Sequence, residues 1–183
     1  MYPFSLYDTN KDGYGDLKGI SEKLHYLSGL GVETIWLTPI YESPMKDFGY
    51  DVSNYLGINP IFGTIEDFHH LVDTAHSLDI KIIMDFVPNH SSDLHEWFKK
   101  SEAGIIFQKI IIVQQHNSML GESPYTDYYV WVDPAGWEGD TPVVPNNWLS
   151  KVRTSAWQWS DRRQQFYYHQ YQPQQPDLNF RNR

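Results

Sequence analysis

The sequence predicts an α/β fold built on a parallel sheet. Twice, an amphipathic helical pattern is followed by a short apolar, β-rich run, and a long polar loop lies between the two pairs. The first helix is read from Leu17, Ile20, Leu24, Leu27 and Leu30, which recur at steps of three and four and so share one face. Gly31 follows as its stop. Thr34-Ile35-Trp36-Leu37, ended by Pro39, then reads as a buried strand. Thr64 with Asp67 three residues on predicts the capping box of a second helix, whose apolar face is Ile65, Phe68, Leu71, Val72, Ala75 and Leu78. Lys81 through Phe86 reads as a second buried strand. The strand-to-helix loops are long, 38–63 being the clearest, and in such folds the loops beyond strand C-termini carry function.

The alternation stops near residue 87, so residues 1–86 form one expected domain and 87–183 another. Residues 122–183 are rich in Trp, Tyr, Pro, Asn and Gln, with short strand-like pieces at Tyr128–Val132 and Gln165–Tyr168. They read as an irregular β-rich insertion. The run Ile105–Val113 is apolar, β-branched and nearly uncharged; it reads as a buried strand, or as an aggregation hazard if exposed.

Composition narrows the function classes. The 183 residues hold 40% hydrophobic and 20% charged side chains, a globular balance. With 14 Lys and Arg against 23 Asp and Glu, the net charge of −9 disfavours nucleic acid as a partner. No cysteine is present, which excludes disulfides and thiolate metal sites. No stretch approaches the roughly 20 apolar residues of a membrane helix, and Met1-Tyr2-Pro3-Phe4 lacks the features of a signal peptide.

Four segments carry chemistry. Asp8, Asn10, Asp12, Tyr14 and Asp16 place oxygens at every second residue around two glycines, which suits either a calcium loop or an Asx-rich turn. It is not an EF-hand, because Gly19 stands where a bidentate Glu is required. Asp47-Phe48-Gly49-Tyr50-Asp51 combines a carboxylate and a phenol about a glycine, as a sugar contact or an ordinary turn. Asp85 closes the second strand and His90 follows five residues later, at the strand end where catalytic-face residues gather. Asn89-His90-Ser91 also spells a glycosylation sequon, which a sugar site there would disfavour. Gln175-Pro176-Asp177-Leu178-Asn179 reads as a polar loop.

Together and in this order, the four segments resemble the α-amylase superfamily of glycoside hydrolases, in its animal α-glucosidase (maltase) branch. The likeness spans residues 1–102 and 122–183. It implies the N-terminal part of a (β/α)8 TIM barrel, about three βα units, with domain B inserted after strand three. It implies that Asp47, Tyr50 and His90 contact the non-reducing-end glucose and that Tyr171 lines the outer subsites. Asp85 and Asp177 become site scaffold, and the Asp8–Asp16 loop a structural Ca2+ site; no organic cofactor is implied. The implied substrates are maltose- or sucrose-type oligosaccharides, and the implied setting is extracellular, secreted or membrane-attached. The retaining mechanism needs a nucleophile and a general acid about 5–5.5 Å apart. The resemblance places both beyond Arg183, so these 183 residues are expected to hydrolyse nothing and to be poorly stable alone. Residues 103–121 match nothing in the branch and read as translated intron sequence, with the chain starting inside the first strand. The alternative is a non-catalytic relative of the amino-acid-transporter heavy-chain type, or a short chain that binds calcium or sugar without turnover.

Overall fold

The computed structural model describes residues 1–104 and 123–182. The run Ile105–Val113 and most of the unmatched stretch 103–121 lie outside the described residues. The chain divides into two compact units, Met1–Val87 and Pro88–Arg183. Among the described residues, no helix is long and apolar enough to cross a membrane.

In the first unit, helix α1 spans Leu17–Gly29 and helix α2 spans Ile65–Ser77. Asp16 caps α1 by accepting the Gly19 N–H at 2.7 Å, satisfying a donor that the helix itself cannot. Thr64 and Asp67 form the capping box of α2, with reciprocal bonds of 2.9 and 3.2 Å. Strand β1, Thr34–Leu37, pairs in parallel with β4, Lys81–Met84. Leu17, Ile20 and Leu24 of α1, Leu71 and Ala75 of α2, and Ile35 and Leu37 of β1 share one core. Burying each such leucine or isoleucine contributes about 1.5–3 kcal/mol.

The sequence expectation is corrected at four places. The two strands are buried on one face only: Ile35 and Leu37 are covered, whereas Trp36 is 57% and Ile83 51% exposed. The helices cover one side of the pair, and the alternation of a pleated strand turns every second side chain to the other. Leu30 and Ile65, assigned to the helix faces, are also exposed, because Leu30 is the C-cap of α1 and Ile65 the first residue of α2. Loop 38–63 contains an antiparallel pair, β2 at Tyr41–Glu42 and β3 at Asn54–Ile58. Of about three barrel strands expected, the described residues form two. Met1 lies in the lane of another, its amine donating to the Trp36 carbonyl and its carbonyl accepting Thr38 N–H at 3.0 Å.

The second unit is built on aromatic packing. Strands β5 (Trp131–Val132), β9 (Gln165–Tyr168) and β8 (Trp157–Ser160) form an antiparallel sheet in that order. A hairpin joins β6, Gly136–Glu138, to β7, Thr141–Val143. Phe98, on helical residues 96–104, meets Tyr129 and Tyr167 edge-on, each at 5.1 Å between centroids. Of the expected strand at Tyr128–Val132 only β5 forms, while Tyr129 makes an isolated bridge to Leu178.

Candidate sugar-binding site

Each unit organises its own share of the expected site residues. In the first, Tyr50 and Asp85 come together although 35 residues separate them: the Tyr50 hydroxyl donates to Asp85 Oδ2 at 2.9 Å. Burial, then the Asp85 carboxylate, pushes the Tyr50 phenol up to about 12, so it remains a donor throughout the working range of a protein. Two further tyrosines tie down the chain as it leaves β4. Tyr41 donates to the Asp85 carbonyl and Tyr55 to the Val87 carbonyl, both at 2.9 Å. The β2–β3 pair therefore acts as a brace for the strand end that presents Asp85.

The loop that carries Asp47 and Tyr50 is wound around a residue the sequence reading passed over. Asp51 is fully buried and accepts from Ser43 Oγ and from the backbone N–H groups of Lys46 and Asp47, each at 3.0 Å. A buried carboxylate with three donors is an anchor rather than a ligand contact. Gly49 is required in this turn: its φ is +97°, and a Cβ there would sit 2.8 Å from the Pro39 carbonyl oxygen. Asp47 closes the turn by accepting Tyr50 N–H at its carbonyl, 2.9 Å away. Its negative charge acts on both Tyr50 and Tyr2, which puts it near both phenols.

In the second unit, the segments around His90 and Asp177 run antiparallel and bridge each other. Ser91 N–H donates to the Pro176 carbonyl and Leu178 N–H to the Asn89 carbonyl, at 3.3 and 3.0 Å. His90 is buried, with the Tyr171 ring 5.2 Å from its own. Tyr171 is more open, as suits a ring that could stack on a ligand. Asp177 accepts the Gln170 N–H at 2.9 Å and the Asn89 amide. Burial raises its pKa to about 6 in spite of these two bonds. Asn89, nominally a sequon asparagine, has its amide committed to His90 and Asp177.

The Asp8–Asp16 loop folds on itself. Asp8 accepts from Lys11 and Gly13 N–H, Asn10 from Asp12 N–H, and Asp12 from Tyr14 N–H, at 2.7–2.9 Å. Asp16 is turned toward α1 and Thr9: it accepts Thr9 N–H and Oγ–H as well as Gly19 N–H. Burial favours its neutral form, but these bonds prevail and hold it below the usual carboxylate range. An all-oxygen donor set is the chemistry calcium prefers. Among the described residues, however, no three acidic or imidazole groups converge on one point. Each Asp8 and Asp12 oxygen that accepts a backbone N–H keeps a further lone pair.

The chain is similar in sequence and in fold to known proteins. Maltase 1 of Drosophila virilis is 51% identical over 182 residues, an alignment covering 100% of this chain and 26% of that protein. The amino acid transporter heavy chain SLC3A1 of Rattus norvegicus is 46% identical over 182 residues, covering 100% and 24%. A solved structure of a MutB mutant in complex with the substrate sucrose superposes with a TM-score of 0.85 at 42% identity, over 100% of this chain and 29% of that one. The chain thus spans about a quarter of the length of the curated relatives it matches. Its helices and parallel strands are those of the N-terminal part of a (β/α)8 barrel, which the described residues do not close. Residues 1–183 match the model of the alpha amylase catalytic domain, and the chain belongs to that family of glycoside hydrolases.

Proposed function

We propose that the protein is a retaining α-glucosidase that releases terminal α-linked glucose from maltose- or sucrose-type oligosaccharides outside the cell. The observation that carries this reading is the Tyr50–Asp85 pair at the C-terminal end of β4, with Asp47 in the same turn. A charged acceptor and a phenol at that position can hold the hydroxyls and one face of a single glucose. In the second unit, by itself, His90 and Tyr171 set an imidazole beside an aromatic ring, a pairing that also suits a sugar. Asp47 and Asp85 bind and scaffold, so nucleophile and general acid must be other carboxyl groups. Residues 1–183 alone are therefore expected to turn over no substrate. The test is hydrolysis of maltose and sucrose by a chain carried to the length of the relatives, with the anomer of the released glucose read by NMR. Release of α-glucose supports retention; β-glucose or no release overturns the proposal.

A second reading is a non-catalytic relative, favoured by the 46% identity to a transporter heavy chain. A scaffold has no use for a phenol–carboxylate pair at the sugar position, which is why the enzyme reading leads. We also propose that the Asp8–Asp16 loop binds calcium through Asp8, Asn10, Asp12 and the Tyr14 carbonyl, with Asp16 as the remaining oxygen donor. Millimolar calcium should then raise the melting temperature, since a ligand that binds only the folded state stabilises it. Asp12→Asn, at an exposed position, removes one ligand charge and should shrink that rise while leaving the calcium-free melting temperature in place. An equal rise in both proteins would remove the loop as the site.

A further inference from the structure

Which nitrogen of His90 carries the proton is decided by its neighbour. The Asp177 carboxylate is only 7% exposed and, when ionised, can accept hydrogen bonds but not donate them. The Asn89 amide bonded to it must therefore face it with nitrogen rather than oxygen, which fixes an orientation that an isolated amide would leave open. The same Nδ2 lies 3.2 Å from His90 Nδ1. An amide nitrogen has two hydrogens and no acceptor capacity, so one hydrogen serves Asp177 and the other points at His90. Nδ1 must then present a lone pair. Turning the amide over would offer oxygen to His90 but would set that oxygen against the carboxylate. The backbone bridge between His90 and Asp177, with Leu178 N–H on the Asn89 carbonyl, keeps the three side chains in register.

We propose that Asn89, held by Asp177, is a positioning residue that fixes neutral His90 in its Nε2–H tautomer, so that the imidazole offers a hydrogen-bond donor to a sugar hydroxyl. The tautomer follows from the side chains alone; only the sugar contact rests on the function proposed above. Histidine that must donate from one nitrogen is commonly set by the bond its other nitrogen makes. Here the setting group is an amide donor, and a carboxylate stands behind it.

The experiment is long-range 1H–15N NMR on protein labelled with 15N-histidine, at pH 7.5, where Asp177 is ionised. The His90 signals are assigned by their loss in His90→Gln. The expected wild-type pattern is a protonated Nε2 with a bare Nδ1. A Nδ1–H pattern, or an imidazolium, overturns the proposal without need of any Asn89 variant. In Asn89→Asp the new carboxyl shares one proton with Asp177 and leaves an oxygen that accepts at Nδ1, so His90 should gain a proton there; an unchanged pattern also overturns it. In a chain carried to the length of the relatives, Asn89→Asp should lower kcat/KM for maltose at least about tenfold, the scale of one hydrogen bond to a ligand. If the tautomer switches and kcat/KM does not fall, the positioning role stands, and it is the sugar contact of His90 that fails.

Discussion

Tyr50 and Asp177 place opposite demands on their protons. Tyr50 keeps its proton and donates it to Asp85, so Tyr50→Phe removes one polar contact and little volume. For the proposed α-glucosidase, kcat/KM for maltose should fall about 10- to 100-fold, with the melting temperature lowered by no more than about 1 kcal/mol of lost stability. Kinetics beside thermal unfolding would check this; equal kinetics would remove Tyr50 from the site. Asp177 holds its proton up to about pH 6, against an ordinary value of 3.8. Between those pH values the folded state binds a proton that the unfolded state has released. Stability from this group is therefore full below about pH 3.8 and is lost as pH rises through about 6, an effect on the order of 2–3 kcal/mol. Asp177→Asn should flatten that decline, read as the wild-type-minus-variant difference in urea midpoint from pH 4 to 7. Asp85 and His90 could be picked from the sequence because they stand at a strand end. Asp51 and Asn89 could not, since their importance lies in bonds to backbone groups and to a neighbour's ring that no spacing encodes.

At the scale of elements, local signals read well and packing signals less so. The α2 capping box and the Gly31 stop were legible because both are local: Gly31 adopts φ +83° directly after the C-cap. The face of a strand that stays open was not, because an apolar run fits either a buried strand or one covered on a single side. The second unit shows the same limit. Arg163 sits in a charged turn that reads as surface, yet it is almost fully buried. Its guanidinium donates to the Ser101 and Thr126 carbonyls and to Gln165, and lies 4.4 Å over the Trp131 ring. It thereby ties helical residues 96–104 to the sheet. Burial lowers its pKa to about 10, and it stays charged at neutral pH. Arg163→Met should cost about 3 kcal/mol, because two carbonyls lose their donor in a dry site. Lys in its place should recover less than half, lacking the planar fork that reaches several acceptors. Chemical denaturation of the three proteins would decide it, and a Lys variant as stable as wild type would contradict the argument.

At the scale of the whole molecule, the parallel pair β1–β4 sets the strongest demand. Its helix-covered face is a finished core, while the other presents Trp36 and its register partner Ile83 at 57 and 51% exposure. Large apolar side chains side by side on a two-stranded sheet, with strand edges nearby, favour association with any similar surface. In a barrel that face points inward, where side chains fill the interior in layers. Residues 1–183 alone should therefore self-associate at micromolar concentration and lack a sharp unfolding transition. Replacing Trp36 and Ile83 together by Thr keeps strand propensity and removes most of the exposed apolar area. In the 183-residue chain the double variant should shift light scattering toward monomer. In a chain carried to the length of the relatives the same change should destabilise by several kcal/mol, as the loss of two large core side chains does. Opposite signs in the two lengths identify the face as a barrel interior. A monomeric, cooperatively unfolding wild-type 183-residue chain would mean that the open face is a true surface, and the two substitutions would then be nearly neutral in both.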